Sequence, residues 1–246
     1  MASADTRDVL ITGGTGSVGK ALVETFATHG YRVTFQFHHD EATADALAQK
    51  FGAKAVQLDF EGDLVLPRVD FDVVINNAGI NISDVPTHEV SLVDWNRTML
   101  VNLTAPFKIV RQCLPWMMEK RWGRIINISS IYGLRAAEGN FPYTVSKHAL
   151  SGFTKTIAKE YAAYGITCNE ICPGPIDSDM MNEIAKRTVA QTGGTIEDYF
   201  KEVCEEIPAK RMVEPKEVAS LAVFLASGEA EYLTGASIPL DGGMIA

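Results

Sequence analysis

Tyr143 and Lys147 stand four apart in the run Phe141-Pro142-Tyr143-Thr144-Val145-Ser146-Lys147. On a helix that spacing puts both side chains on one face. A phenol titrates at about pH 10 in water and is a poor base at neutral pH. An ammonium held beside it favours the phenolate and lowers that value. The pair suits proton exchange with an alcohol or a carbonyl oxygen. Ser130 ends a short apolar run, with twelve residues between it and Tyr143. A hydroxyl at the carboxyl end of a strand would face a ligand crevice and hydrogen-bond the substrate oxygen. Ser129 competes for that place, and either serine would serve equally to cap a loop. Asn102, in the apolar setting Val101-Asn102-Leu103, could hold a water that links Lys147 to solvent.

A second group of residues suits a phosphate. Thr12 to Gly19 reads Thr-Gly-Gly-Thr-Gly-Ser-Val-Gly, in which Gly14, Gly16 and Gly19 make a GxGxxG pattern. Glycines there give a tight turn, close backbone approach to a pyrophosphate and tight helix packing. The helix that follows offers free N–H groups and the positive end of its dipole. Sites of this kind often carry an acid at the tip of the second strand. Here the strand ends Phe37-His38-His39-Asp40. An imidazole in that place would face a 2′-phosphate, which favours NADP(H) over NAD(H). Two solvated loop histidines would look the same, and Asp40 could still reach a ribose.

Stepping outward, the elements that position these residues alternate. Strands are expected at Val9–Ile11, Val33–Phe37, Ala55–Leu58, Val73–Asn76, Ile125–Ile128, Ile166–Ile171 and Ala236–Leu240. Helices are expected at Val18–His29, Glu41–Phe51, Leu92–Lys120, Tyr143–Tyr164, Met180–Val189, Ile196–Glu206 and Pro215–Ala226. Alternating β and α units predict a mainly parallel sheet of seven strands, doubly wound, with helices on both faces. No repeat or linker divides residues 1–246, so one domain is expected.

Composition limits the function classes. The chain has 246 residues, 46% of them hydrophobic and 22% charged, with a formal net charge of -9. That acidity disfavours nucleic acid. The N-terminus lacks a basic and then apolar leader, and no apolar run reaches membrane-spanning length. Cys113, Cys168, Cys172 and Cys204 lack metal-ligand spacing. On a strand, Cys168 and Cys172 would lie roughly 13 Å apart, too far for a disulfide. Reduced thiols in a cytoplasmic protein without a bound metal are expected.

Taken together and in order, these pieces resemble the short-chain dehydrogenase/reductase family over essentially the whole chain. The matching segments are Thr12–Gly19, Asp59, Asn76-Asn77-Ala78-Gly79, Asn102, Ser130, Tyr143-x-x-x-Lys147, Pro173-Gly174 and Asp241-Gly242-Gly243. The resemblance implies a Rossmann-type fold and hydride transfer between a nicotinamide cofactor and a ketone or secondary alcohol. It implies a tetrad of Asn102, Ser130, Tyr143 and Lys147, with Lys147 also on the nicotinamide ribose. Cofactor contacts are implied at Gly13, Thr15, Gly16, Ser17, Val18, Gly19, His38, Asp59, Phe60, Asn77, Ala78, Gly79, Tyr143, Lys147, Pro173, Gly174, Ile176 and Ser178. A homotetramer and a small-molecule substrate follow from the same likeness.

Three departures stand out. Ser17 replaces the middle glycine usual in short members. Only sixteen residues separate Asp59 from Asn76, too few for the usual helix around Pro67, which predicts thin cover over one sheet face. The stretch from about 179 to 210 is long and reads as two helices around Gly193-Gly194, a substrate lid with a hinge or else a static hairpin. The closest likeness is to 3-oxoacyl-thioester reductases. 3-Hydroxybutyrate, polyol or sugar dehydrogenases are the alternatives within the family. A non-catalytic dinucleotide sensor or scaffold is the alternative of another class, and it is disfavoured because both Tyr143 and Lys147 are present.

Overall fold

The computed structural model describes residues 6–246 apart from Asp63 and Ser83. Residues 1–5, read above for a leader, lie outside the described residues. Seven strands form one parallel sheet: β1 (Asp8–Ile11), β2 (Arg32–Phe37), β3 (Lys54–Gln57), β4 (Val73–Asn76), β5 (Gly123–Ile128), β6 (Ile166–Pro173) and β7 (Ser237–Leu240). Their order is β3-β2-β1-β4-β5-β6-β7, as expected for a doubly wound fold. The order reverses between β1 and β4, and a crevice opens there at the carboxyl ends of the strands.

Side-chain alternation sends neighbours to opposite faces. Val9 and Ile11 of β1 join Phe35, Ile75 and Ile126 beneath α1 (Ser17–Thr28) and α8 (Pro215–Ala226). Leu10 joins Val74, Ile125 and Cys168 on the other face, under α4 (Ala105–Lys120) and α5 (Phe141–Tyr161). The remaining helices are α2 (Glu41–Phe51), α3 (Leu92–Met99), α6 (Asp179–Thr192) and α7 (Ile196–Glu206). Gly193 and Gly194 join α6 to α7 with φ of 81° and 93°, conformations open to glycine at little cost.

Two expectations fail locally. The single helix foreseen from Leu92 to Lys120 is two helices joined by a π-helical turn, Leu100–Thr104. Pro106 brings no N–H to continue the ladder. The face expected to be thinly covered is not. Phe60, Leu64, Leu66 and Phe71 are buried against the sheet and α4 in place of a helix. Side chains satisfy part of the irregular backbone: Gln112 Oε1 accepts from Leu66 N at 3.1 Å and its Nε2 donates to the Leu64 carbonyl at 3.1 Å, and Lys108 Nζ donates to the Gly62 carbonyl at 3.3 Å.

Candidate active site

The glycine turn is held by the segment after β4. Thr12 Oγ1 accepts from Asn77 N at 3.0 Å and Ala78 N at 2.9 Å. Asn77 Nδ2 donates to the Thr12 carbonyl at 2.8 Å. Gly13 has a φ of 66°. A Cβ on Gly14 would meet Phe35 at 2.4 Å, and one on Gly19 would meet the Gly13 carbonyl at 2.0 Å. A Cβ on Gly16 would meet nothing nearer than 3.6 Å. Packing within the protein therefore demands glycine at 13, 14 and 19, not at Gly16, which faces open space. Gly16 caps α1 without a side-chain hydrogen bond, leaving first-turn amides free for an anion.

Those amides open onto a cavity of about 340 Å3. It reaches from Gly13, Thr15–Gly19 and His38 past Asp59 and Phe60 to Asn77–Gly79, then to Tyr143, Lys147, Ile176 and Ser178. These are the expected cofactor positions, with two exceptions. Pro173 and Gly174 line a second cavity instead, because Gly174 N is tied to the Leu240 carbonyl at 3.0 Å and its Cα packs on Asp241. A depression of this length, with free amides at one end and Lys147 at the other, fits a nicotinamide dinucleotide. His38 stands 3.8 Å from Asp59 across the middle.

Several lining residues escaped the sequence reading. Gln36 is buried in β2; its Oε1 accepts from Gly13 N at 2.9 Å and its Nε2 donates to the Leu58 carbonyl at 2.7 Å. A polar residue inside an apolar strand was the available signal. Arg97 of α3 also lines this cavity. Ser17, the replaced family glycine, ties the turn to α6: its Oγ donates to Asp179 Oδ2 at 2.8 Å and accepts from Asp179 N at 3.0 Å.

The second cavity, about 370 Å3, lies beside the first. Tyr143 lines both, Lys147 only the first and Ser130 only the second. Ser130 lies beside the Tyr143 phenol and favours its ionised form, and its Oγ accepts from Tyr132 N at 3.1 Å. Ser129 lines both cavities, and its Oγ is buried without a hydrogen-bond partner. Asn102 sits in the π-helical turn. Its Oδ1 accepts from Ile80 N at 2.9 Å, and its Nδ2 donates to the Ile80 carbonyl and Ser146 Oγ, each at 3.0 Å. Ser146 in turn donates to the Tyr143 carbonyl at 2.7 Å.

The expected lowering of the phenol by Lys147 is not found. Burial pushes Tyr143 up to about 12, with Ser130 pulling the other way. Burial also pushes Lys147 down to about 8, against the pull of the Glu170 carboxylate. Burial is the main cause, and Lys147 Nζ makes its hydrogen bond to the Ile128 carbonyl at 2.8 Å and none to the phenol.

Comparison with known proteins places this geometry in context. A family model described as enoyl-(acyl carrier protein) reductase matches residues 13–245. The chain is 35% identical to a 3-oxoacyl-[acyl-carrier-protein] reductase of Aquifex aeolicus, covering 96% of each chain. It is 33% identical to an acetoacetyl-CoA reductase of Cupriavidus necator, covering 97% of this chain and 98% of that one. A variant of actinorhodin polyketide ketoreductase solved with NADPH superposes with a TM-score of 0.91 at 27% identity, over 99% of both chains.

Proposed function

The chain belongs to the short-chain dehydrogenase/reductase family, an oxidoreductase acting on CH–OH and C=O groups, and we propose that Tyr143 is its proton-transferring residue. The observation that carries this reading is the placement of Tyr143 on the wall shared by the two cavities. A nicotinamide dinucleotide, when bound, supplies or accepts the hydride. The residues of the chain do the rest.

Ser130 and the Tyr143 phenol would bind the substrate oxygen together from the second cavity. In reduction, Tyr143 gives its proton to that oxygen as negative charge develops; in oxidation it takes one back. Lys147 would hold the nicotinamide ribose from below and supply positive charge beside the phenol. Asn102 fixes the loop at Ile80 and, through Ser146, the backbone of Tyr143. The helices α6 and α7 would act as the lid, hinged at Gly193-Gly194. Gly13, Thr15–Gly19, Asn77–Gly79, Ile176 and Ser178 would hold the cofactor. His38, at the edge of the first cavity, favours NADP(H).

The substrate assigned is a 3-oxoacyl thioester or a related 3-keto compound, carried by the likeness to the two reductases above. A homotetramer is proposed on the exposed apolar side chains Leu92, Val93 and Phe107 of α3 and α4, and a cytoplasmic setting on four free thiols. A panel of 3-oxoacyl thioesters, 3-hydroxybutyrate and polyols, each run with both cofactor pairs, tests the assignment. Turnover greatest with 3-oxoacyl thioesters and NADPH is expected; turnover confined to polyols would overturn it.

A further inference from the structure

Asp179 opens α6 and lines the first cavity beside the glycine turn. Its carboxylate does not cap its own helix. Ser178 does that, with its Oγ accepting from Met181 N at 3.3 Å. Asp179 Oδ2 instead takes the Ser17 hydroxyl proton at 2.8 Å, while Ser17 Oγ accepts from Asp179 N at 3.0 Å. Ser17 is the first residue of α1, and Gly16 before it brings no side-chain cap. A carboxylate of this chain therefore stands at the positive end of the α1 dipole, where an anion is stabilised.

A dinucleotide pyrophosphate needs the same few groups, and two conflicts follow. The first is charge. A phosphate drawn to the first-turn amides of α1 meets the like charge of Asp179. Lys20 offsets only part of it: its Nζ is 4.0 Å from Asp179 Oδ2, and its charge also reaches Asp40. The second is the proton. A serine hydroxyl has one proton to donate. While Ser17 gives it to Asp179, it gives none to a phosphate oxygen. The Asp179 N–H is outside this contest. It stays on Ser17 Oγ whichever acceptor the hydroxyl faces, so α6 remains attached to the turn.

We propose that Asp179 competes with the cofactor's pyrophosphate for the first turn of α1 and for the Ser17 proton. It holds the affinity for the dinucleotide below what the glycine turn alone would give. The consequence is a shorter residence of the spent cofactor, whose release is a step that limits many enzymes. The inference rests on the nicotinamide dinucleotide reading above and concerns how tightly that site holds its ligand.

The test is fluorescence titration with NADPH, with ADP-ribose and 2′-AMP as competitors. ADP-ribose keeps the pyrophosphate, and 2′-AMP lacks it. Asp179→Asn removes the charge and keeps an acceptor for Ser17; Asp179→Ala removes both. Each variant should bind NADPH and ADP-ribose about threefold to tenfold more tightly at low salt, the size expected of one like charge at close range in a solvated site. The gain should shrink at about 0.5 M salt, while 2′-AMP should change by less than about twofold. The Asp179 side chain is 76% exposed, so both variants should keep the fold, with melting temperature as the control. If the carboxylate serves only the dipole of α6, both variants lose stability and gain no affinity. NADPH bound no more tightly by either variant, or an equal gain for 2′-AMP, overturns the inference while the dinucleotide reading stands. Failure of the unmodified protein to bind NADPH and ADP-ribose overturns both.

Discussion

The Lys147 ammonium stands 5.5 Å from the centroid of the Tyr143 ring, on the same face of α5. The two groups are pushed apart in acidity by the same burial: Tyr143 up to about 12 and Lys147 down to about 8. Below about pH 8 the lysine is charged and the phenol protonated, the state that reduction of a carbonyl needs.

The pH profile should therefore belong to the lysine. Tyr143 keeps its proton well past neutrality, so the first group to change on raising the pH is Lys147, which loses its charge. We expect kcat/KM for carbonyl reduction to be flat below about pH 8 and to fall above it. Glu170 supplies the control. It is fully buried on β6, its Oε1 accepts from Ser237 Oγ at 2.5 Å, and its charge holds the Lys147 value up. Glu170→Gln removes that support, so the falling limb should move to lower pH. A limb in the same place in both proteins would show that another group titrates.

The glycine turn makes a second, opposed pair of expectations. Gly19→Ala drives a methyl group to 2.0 Å from the Gly13 carbonyl, and should destabilise the fold by about 1–3 kcal/mol as well as weaken cofactor binding. Gly16→Ala meets nothing closer than 3.6 Å, so thermal stability should stay near that of the unmodified protein while cofactor affinity falls. Melting temperature and fluorescence titration with NADPH separate the two effects. Equal destabilisation by both substitutions would contradict the packing described for the turn.

Much of this was legible in the sequence. Gly14 and Gly19, the Tyr143–Lys147 spacing and the order of strands are local patterns, and local patterns survive into the structure. What was hidden depends on partners far along the chain. Gln36 reads as one polar residue in a strand until Gly13 and Leu58 close on it. Phe60, Leu64, Leu66 and Phe71 have no helical period, yet they cover a sheet face, with Gln112 bonding the backbone of Leu64 and Leu66. The acidity of Tyr143 could not be read from its spacing to Lys147, because burial sets it and the ammonium is hydrogen-bonded to Ile128. The two asparagines that close on each other, Asn81 and Asn140, lie 59 positions apart.

Ser17 offers a third prediction. Its hydroxyl both donates to and accepts from Asp179, joining the cofactor turn to the first residue of α6. Ser17→Ala removes both bonds at a partly buried position, each worth about 0.5–1.5 kcal/mol. We expect faster proteolysis within 179–206 and a rise of about threefold to tenfold in the KM for the carbonyl substrate, with kcat less affected. Proteolysis and KM unchanged from the parent protein would show that the tie does not hold α6 in place.

The central claim is tested most directly by Tyr143→Phe, which removes one oxygen from the wall shared by the two cavities. Cofactor binding should persist, measured by fluorescence titration with NADPH, while single-turnover reduction of a 3-oxoacyl thioester falls by at least about a hundredfold. Reduction at the parent rate with cofactor bound would remove Tyr143 from the chemistry.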